Sequence, residues 1–439
     1  MKKKYRIILY TSIFLLCVVA SIILVVKKSN SVYEEESKPK VVKHKSMLSM
    51  NLEQTAGSGD YKTVTQSSWP TEGYKFNAEL SKCENGSTLS WDDTKKAVIM
   101  QGNVSDKCYV YFDIWIPSIA DYCTSGTDLA TCVKNFGDQG PSVSNIYIHN
   151  SSLTNGAGDN SYRYAGANPN NFVCFGSDAS PCPIDNLYRI IGVFGENYHG
   201  VTGKQLVKLI KYDYMTTDEL GTDGDYSQTY KEWGMDSTYK GTYGDGERIG
   251  VYYWNYKATG SATNTWSTSL LNKTNLNTNF INNIGTTWAN KIATVTWKVG
   301  GNTWANIGTK TSSVAYTNEI TNPVTTNTTD NATTYSAKIG LMYVSDYGFA
   351  ASPDAWTLTM SSYNNTTATN NNWMYMGLYE WTISRNADDS NNAFFVYFGG
   401  GVYFYYVDYN YGVRASFNLE SSVSYVSGSG SMSDPIVIN

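Results

Sequence analysis

The histidines come first, because histidine is the side chain that most often acts as a general base in enzymes. The chain contains three of them, His44, His149 and His199, and the last two lie in turns rich in Asn and Gly. No serine or cysteine stands in a nucleophile elbow, and the HExxH sequence of zinc proteases is absent. The sequence therefore predicts no catalytic residue and favours a protein that is not an enzyme.

The acidic clusters are weak candidates for metal or cofactor sites. YGDGERIG, residues 243–250, misses the glycine spacing of a dinucleotide-binding loop and leads into a predicted strand. GTDGDYSQTYKEWG, residues 221–234, resembles a calcium loop, but Gly234 stands where the bidentate Glu is needed. Asp388 and Asp389 are adjacent and would point apart on a strand, which is unsuitable for a glycosidase pair. We therefore predict no metal and no cofactor.

Six of the seven cysteines lie beyond the first 28 residues, and an even number in an exported chain predicts disulfides. No C-x2-C spacing indicates a zinc site. Many pairings are possible, and we predict the sequential one because it closes short local loops. The predicted disulfides are Cys83 with Cys108, Cys123 with Cys132, and Cys174 with Cys182.

The N-terminus predicts a single-pass membrane anchor over residues 1–28. Four basic residues precede an apolar run, residues 7–26, which Lys27 and Lys28 close. Twenty residues at about 1.5 Å each cross a hydrocarbon core of roughly 30 Å. A cleaved signal peptide is the alternative, but the apolar run continues past the possible cleavage site at Ala20. The stronger basic flank lies before the helix, so we expect a cytoplasmic N-terminus and an extracellular remainder.

The net charge of the chain indicates which class of partner it is suited to bind. The formal net charge of the 439-residue chain is −5, and six of its 33 basic residues lie in the first 28. The predicted ectodomain is therefore more acidic than the whole chain, which argues against a nucleic-acid partner. The membrane, through the anchor, is the partner that the sequence predicts directly.

Composition and turn signals divide the remaining chain into four predicted regions. A stalk poor in large apolar residues covers 29–68, and a small β module clipped by a disulfide covers 69–117. A connector with a short helix near residues 129–134 covers 118–160, and the main domain covers 161–439. Early strands, central helices and a strand-rich C-terminal half predict an α+β fold.

The main domain shows several predicted elements. LYRIIGVF and VKLIKYDY are two apolar runs that predict a strand hairpin. Two helices are predicted, one with Leu276, Phe280 and Ile284 on one face and one with Trp288, Ile292 and Val295. KIGLMYVSDYGFA, residues 338–350, is predicted as a strand.

The motifs LYRIIGVF, WANKIATVTW, YSAKIGLMYVSDYGFAAS, NNNWMYMGLYEWTISR and GVRASFNLESSVSYVSGSGSMSDPIVI resemble a large paralogous set of surface proteins from gut Firmicutes. The C-terminal domain of that set has no known function. It is similar to the C-type-lectin-like fold of formylglycine-generating enzymes and of the variable proteins of diversity-generating retroelements. The resemblance covers residues 161–439 and implies two helices, a twisted antiparallel sheet and ligand display rather than catalysis.

Three features of this chain limit what the resemblance implies. Ala415 follows Arg414 where those relatives usually carry proline, which relaxes one turn or edge position. No cysteine lies beyond Cys182, so the oxidising cysteines of the formylglycine enzymes have no counterpart in the C-terminal strands. The Glu-Pro-Asn and Trp-Asn-Asp motifs of calcium-dependent lectins are also missing.

AFFVYFGGGVYFYYVDYNYGVRASF, residues 393–417, places aromatic rings on both faces of a predicted hairpin. Every residue from 386 to 418 belongs to the set that NNY codons encode, as retroelement diversification of Asn codons would produce. Tyr, Asn, Asp, Ser and Gly are also the residues of antibody-like contact surfaces. The predicted ligand-contact residues are Tyr397, Phe398, Tyr403, Tyr405, Tyr406, Asp408, Tyr409, Asn410 and Tyr411.

These observations predict a membrane-anchored extracellular binding protein for an unknown protein or glycan ligand. Arg414 and Phe417 are predicted to anchor the strand behind the contact surface. One alternative is a structural envelope protein or adhesin subunit whose aromatic residues lie in an inter-domain or oligomer interface. A cell-surface enzyme acting on glycans is the third hypothesis, and it has no acid/base constellation in its favour.

Overall fold

The computed structural model describes residues 48–65, 68–70, 72–103, 105–224, 226–233, 238–244, 246–323 and 332–439. The predicted membrane anchor and the first part of the predicted stalk lie outside these residues. None of the helices formed by the described residues is both long enough and apolar enough to cross a bilayer. The chain divides into two units, Met1–Ile116 and Pro117–Asn439, which are described separately.

The first unit is built from short strands. They are β1 (Leu48–Glu53), β2 (Tyr61–Val64), β3 (Tyr74–Phe76), β4 (Lys82–Cys83), β5 (Thr88–Asp92), β6 (Ala97–Gln101) and β7 (Cys108–Ile114). One sheet has the order β2-β1-β7-β3, with β4 also pairing β7, and β5 and β6 form a separate hairpin. The disulfide Cys83–Cys108 joins the paired strands β4 and β7.

The predicted stalk is wrong for residues 48–53 and 61–64, which form β1 and β2. Met50 and Leu52 lie opposite Val110 and Phe112 in the parallel pair of β1 and β7, and all four side chains are buried. Side chains two positions apart lie on the same face of a strand, so Met50 and Leu52 together bury one face of β1. The small β module therefore includes residues that the sequence analysis assigned to the stalk.

The second unit has a mixed α+β structure dominated by strands, and its sheets are mainly antiparallel, which confirms the fold class at this level. Its strands are β8 (Ile146–Ile148), β9 (Tyr162–Tyr164), β10 (Phe172–Cys174), β11 (Leu187–Phe194), β12 (Leu206–Lys211), β13 (Tyr226–Thr229), β14 (Gly250–Tyr253), β15 (Val295–Lys298), β16 (Gly301–Asn302), β17 (Thr334–Ala337), β18 (Ile339–Gly340), β19 (Glu380–Asn386), β20 (Asn392–Val396), β21 (Val402–Tyr406), β22 (Asn410–Tyr411), β23 (Ser416–Asn418), β24 (Tyr425–Ser427) and β25 (Val437–Ile438).

The helical segments of this unit are short. The α-helices are Leu129–Gly137, Pro141–Ser144, Glu196–His199, Thr217–Leu220, Tyr230–Trp233, Ile281–Asn283, Gly285–Ala289, Ser312–Tyr316, Val344–Ala350 and Thr366–Asn370. Leu271–Phe280 and Thr317–Thr321 are π-helical. The 3-10 turns are Ile119–Asp121, Ile184–Asn186, Trp266–Thr268, Trp304–Asn306, Pro353–Thr357 and Met360–Asn364.

The central sheet has the order β18-β23-β12-β11-β9-β8, with β10 also pairing β11. The predicted hairpin is confirmed: β11 and β12 pair antiparallel, and both are buried along their whole length. A strand buried on both faces reads as a continuous apolar run, as LYRIIGVF does. Gly192 in β11 permits a close approach, because a Cβ there would lie 2.2 Å from the Tyr162 carbonyl oxygen.

The region predicted as a connector, residues 118–160, belongs to the core of the second unit. Its helix runs from Leu129 to Gly137 and buries Leu129, Val133 and Phe136 on one face. Asp128 caps the helix by accepting a hydrogen bond from the Thr131 amide at 2.8 Å. The disulfides Cys123–Cys132 and Cys174–Cys182 are also present, so the predicted sequential pairing is confirmed.

The predicted central helices are right in part. Leu276 and Phe280 are buried in the π-helical segment, and Trp288 is buried in the helix that follows. The helical prediction fails for Val295, which begins β15 and pairs with Ala337, because the helix ends at Ala289.

Residues 344–350 form a helix instead of the predicted strand. Its first amide groups are satisfied by buried carboxylates: Glu319 accepts from the amides of Val344 and Ser345 at 3.0 and 2.9 Å. Asp346 accepts from the Tyr343 amide at 3.0 Å. Capping of this kind stabilises a helix start that an apolar run alone does not reveal.

Candidate functional site

The candidate site is built on the antiparallel hairpin of β20 and β21. Strand order β16-β19-β20-β21 makes β20 an interior strand, and β21 is the last of the described strands in this sheet. β20 is buried along its whole length, whereas β21 begins buried and ends in three exposed residues. The apolar residues on both faces of this segment therefore have two explanations. β20 is core, and the end of β21 is exposed.

The turn of the hairpin requires glycine. Gly400 has a φ of 97°, and a Cβ on it would lie 2.5 Å from a Thr369 methyl carbon and 2.8 Å from the Tyr363 carbonyl oxygen. The Gly400 amide donates to the Tyr397 carbonyl at 2.7 Å, and the Tyr397 amide donates to the Gly401 carbonyl at 2.8 Å. This turn sets the register that places Phe404 opposite Phe394.

The exposed rings cluster at the far end of β21. Phe404, Tyr405, Tyr406 and Tyr409 are each between 37% and 46% exposed, and we call these four residues the exposed aromatic surface. Tyr405 lies 4.4 Å from Tyr409 and 5.3 Å from Tyr406, both edge to face. The hydrogen bond with Tyr409 raises the pKa of Tyr405. Tyr405, Tyr406 and Tyr409 therefore form one group of contacting rings, whereas Phe404 packs on Trp304 at 5.6 Å and on Phe394 at 6.2 Å.

A buried aromatic layer supports this patch. Tyr411, 4% exposed, packs against Trp381 at 4.5 Å, Phe395 at 4.8 Å and Tyr379 at 5.1 Å between ring centroids. Burial raises the pKa of Tyr411 well above its ordinary range. We call these four residues the aromatic support. Tyr411, predicted as a ligand contact, is therefore part of the core.

The three predicted contacts nearest the turn are half-buried. Tyr397 and Phe398 pack on each other at 4.1 Å, and Phe398 also contacts Tyr379 at 5.4 Å. Tyr403 stacks on Trp304 with centroids 5.8 Å apart and an interplanar angle of 15°. These ring contacts connect the hairpin to neighbouring segments and leave the three rings only partly accessible to a ligand.

The polar candidates lie beside the exposed aromatic surface. Asp408 is exposed and Asn410 is half-buried. Asn410 pairs with Tyr253 across β14 and β22, and Tyr253 stacks on the exposed ring of Tyr256 at 4.8 Å. Tyr253 and Tyr256 were not among the predicted contacts, and their only sequence signal is the aromatic run VYYWNY.

A third residue that the sequence did not reveal holds the other end of the hairpin. Asn264 is fully buried, and its side-chain nitrogen lies 2.7 to 2.9 Å from the carbonyl oxygens of Asn386, Asp389 and Asn392. It therefore orders the loop between β19 and β20. No local pattern indicates this role, because residue 264 lies in a Thr- and Asn-rich stretch far away in the chain.

The two predicted anchors, Arg414 and Phe417, are both buried side chains of the second unit. Arg414 is buried and donates from Nε to Glu380 at 2.8 Å and from a terminal nitrogen to the Met374 carbonyl at 2.6 Å. Phe417 is buried in β23 and packs against Phe175 at 4.8 Å. Both side chains stabilise the fold and are out of reach of a ligand.

The candidate catalytic groups have structural roles. His149 is buried, its Nδ1 accepts from the Ala157 amide at 3.0 Å, and burial lowers its pKa well below the ordinary value. His199 is also buried, accepts from the Val201 amide at 3.1 Å, and places Nε2 3.1 Å from the Phe194 carbonyl. Both imidazoles are thus neutral and held by backbone groups.

The acidic loops give no ligand sphere in the described part of the chain. The carboxylate of Asp223 accepts from the side-chain nitrogen of Asn279 at 2.7 Å. Two other acidic residues form ion pairs at 2.8 Å, Asp185 with Arg248 and Glu247 with Lys231. Asp225 and Asp245 lie outside the described residues. No group of three acidic, histidine or cysteine side chains suited to a metal ion occurs among the residues described.

The described chain thus combines a disulfide-bonded, mixed α+β architecture with an exposed patch of aromatic side chains. Comparison with known proteins adds no family to this description: no family model, no curated protein and no solved structure matches the chain. The function therefore has to be inferred from the residues of the site themselves.

Proposed function

We propose that this protein is a membrane-anchored, extracellular, non-catalytic binding protein that contacts a protein or glycan ligand through its exposed aromatic surface. The observation that carries the proposal is the exposure of these four rings at one end of a hairpin, where Tyr405 contacts both Tyr406 and Tyr409. The largest exposed apolar patch of a soluble domain is often a functional site.

The chemistry of the patch supports binding over catalysis. A tyrosine has only two side-chain torsions, so its large contact area is ordered at little entropic cost, and its hydroxyl supplies a hydrogen bond. Asp408 and Asn410 lie beside the rings and add polar contacts. A ligand with both apolar faces and hydroxyl or amide groups fits this surface.

The rigidity of the site also supports the proposal. Tyr411 is held in the aromatic support by its three partner rings. Its ring centroid lies 6.5 Å from that of Tyr409, which belongs to the exposed aromatic surface. Rings that are already held in place lose less freedom when a ligand binds, which favours affinity. The hairpin turn and Asn264 hold the two ends of the same element.

The proposed location rests on the disulfides and the N-terminal sequence. Three disulfides form stably in an oxidising compartment and are rare in the cytosol. The predicted anchor over residues 1–28 would hold the protein at the cell membrane with its C-terminal part outside.

For the second unit we propose the C-type-lectin-like fold that the resemblance implies. Its mixed α+β content, short helices and antiparallel strands agree with that fold. An experimental structure of this unit tests the assignment through its strand order.

If the segment 386–418 is diversified, burial limits where changes are tolerated. Phe394, Val402 and Phe417 are fully buried, and substitutions there would create cavities or strain. Functional variation would concentrate at the exposed aromatic surface and at Asp408. An adenine-rich near-copy of the 3′ end beside a reverse-transcriptase gene would support this extension of the proposal.

The test replaces Tyr405, Tyr406 and Tyr409 by Ala together and measures binding to immobilised glycans and secreted glycoproteins. We expect the variant to lose every interaction of the natural protein, by at least tenfold in affinity, while its unfolding transition is kept. The matched control replaces three exposed apolar residues away from the patch, Val426, Met432 and Val437. Unchanged binding by the tyrosine variant would overturn the proposed contact surface.

A further inference from the structure

The exposed aromatic surface lies in a stretch of the chain that carries acidic residues and no basic ones. Residues 386–413 contain three acids, Asp388, Asp389 and Asp408, and neither lysine nor arginine. Asp388 and Asp389 precede β20, and Asp408 follows β21. Because these two strands pair antiparallel, the three acids lie at the same end of the hairpin as the exposed rings. Aromatic side chains and negative charge are therefore combined in one place.

Asp408 is placed between two of the exposed rings by a turn. The Tyr409 amide donates to the Tyr406 carbonyl at 3.0 Å, so residues 406–409 form a turn with Asp408 at its third position. Tyr406 and Tyr409, which close this turn, are each in ring contact with Tyr405. Asp408 is itself exposed. The acid and the rings are therefore accessible to the same ligand.

The loop before β20 is bonded to this turn and adds two further acids. The Val407 amide donates to the Asn391 carbonyl at 2.9 Å, which joins the loop to the turn. The carboxylate of Asp389 accepts from the side-chain nitrogen of Asn392 at 2.7 Å and from the Asn391 amide at 3.2 Å, so its position is fixed. Asp388 beside it is exposed. Negative charge therefore comes from both segments at this end of the hairpin.

A cation is attracted by both features of this end of the hairpin. The face of a tyrosine ring carries the negative part of a quadrupole, so a lysine or arginine cation placed over it is held electrostatically. A guanidinium is planar and weakly hydrated, and it can stack on an aromatic face and pair with a carboxylate. The segment 250–260, whose strand β14 pairs with β22, adds one base, Lys257, which leaves the acids in excess.

We propose that the exposed aromatic surface binds a basic segment of a protein partner, with an arginine or lysine side chain lying on its tyrosine rings and pairing with Asp408. The charge of the surface is complementary to such a segment, which gives specificity and speeds association. The inference rests on the proposed binding function and narrows its ligand, from a protein or glycan to a protein with exposed basic side chains.

The test titrates the full-length protein by calorimetry with a capped peptide of four Gly-Arg repeats and, as the matched probe, a capped peptide of four Gly-Gln repeats. We expect the arginine peptide to bind and the glutamine peptide not to bind. Because salt screens exposed charges, the affinity for the arginine peptide should fall roughly tenfold between about 50 mM and about 500 mM sodium chloride.

Single substitutions separate the contribution of the rings from that of the charge. Tyr409→Leu should weaken binding of the arginine peptide about two- to fivefold, whereas Tyr409→Phe, which keeps the ring, should leave it nearly unchanged. Asp408→Asn should weaken binding to a similar extent. The matched control is Asp178→Asn, which removes an exposed acid in the loop between β10 and β11 and should bind the peptide like the natural protein.

Three results would overturn the inference. They are equal affinity for the two peptides, equal losses in Asp408→Asn and Asp178→Asn, and full binding of the arginine peptide by the variant with Tyr405, Tyr406 and Tyr409 replaced by Ala. The proposed contact surface fails separately, when that triple variant keeps the natural interactions of the protein. If the triple variant loses those interactions and the arginine peptide does not bind, the contact surface stands and the basic partner is wrong.

Discussion

The second unit buries charge in one region and exposes aromatic rings in another, which inverts the usual distribution. Within the central sheet and its helix, Lys208 and Arg163 share the carboxylate of Asp346, at 2.6 and 3.6 Å. At the end of β21, large rings that could have filled a core are two-fifths exposed. These three buried charges are paired and contribute to the fold. The exposed rings contribute little to it, so their role is sought in binding.

The largest expected effect in this comparison comes from breaking the buried ion cluster. Asp346→Asn removes the carboxylate that accepts from Lys208 and from the Tyr198 hydroxyl, both at 2.6 Å. The cations left behind are enclosed, so we expect a loss of about 3–5 kcal/mol in the free energy of unfolding. Urea unfolding measures it. A loss below about 1 kcal/mol would contradict the view that this cluster organises the interior.

The second prediction separates Tyr411 from Tyr409, two residues apart in sequence and opposite in burial. Tyr411→Ala empties part of the aromatic support and should cost about 3 kcal/mol. Tyr409→Ala removes a ring that is 44% exposed and should change stability by less than about 0.5 kcal/mol. Guanidinium unfolding of both variants makes the comparison. Equal losses would mean that the exposed ring is as important for folding as the buried one.

Sequence patterns predicted those parts of the fold in which one short segment carries its own signal. The apolar runs of β11 and β12 predicted a hairpin, and the short loops between cysteines predicted the disulfides. Residues 129–134 predicted a helix, but nothing local revealed that its face with Val133 packs in the core. The helix at 344–350 was missed because its capping carboxylate, Glu319, lies in a distant segment.

The candidate site, too, was predictable only where one short segment carries its own signal. The aromatic alternation identified the hairpin, but it did not distinguish exposed Tyr409 from buried Tyr411, because the chain turns between β21 and β22. Tyr253 joins the site only through the pairing of β14 with β22. Such long-range pairings depend on the complete fold, and a single sequence shows no sign of them.

The third prediction tests the ion cluster through pH. Burial opposes ionisation of Asp159, but Arg163 at 2.9 Å and hydrogen bonds from Ser161 outweigh it and lower its pKa to about 2. A carboxyl group whose pKa falls on folding stabilises the protein above its unfolded pKa, near 3.9, and this contribution disappears as the pH falls towards 2.

The expected loss from this group is about 2 kcal/mol between pH 5 and pH 2, because the carboxyl of the folded protein is still about half ionised at pH 2. Urea unfolding at several pH values measures it, with Asp159→Asn as the control whose stability should depend less on pH in that window. The substitutions at Tyr405 and Tyr409 should leave the pH profile unchanged. An Asp159→Asn profile identical to that of the natural protein would contradict the assignment.

The smallest expected effect concerns the hypothesis that the aromatic residues form an oligomer interface. Four rings about two-fifths exposed offer on the order of 400 Å², whereas a stable interface buries about 800 Å² per partner. Replacing Tyr405, Tyr406 and Tyr409 by Ala should therefore leave the sedimentation coefficient unchanged over the accessible concentration range. A ligand contact needs only a few well-placed rings, because a small number of residues carries most of the binding energy. Dissociation of an oligomer in the variant, with the Val426, Met432 and Val437 control unaffected, would favour the envelope role over ligand binding.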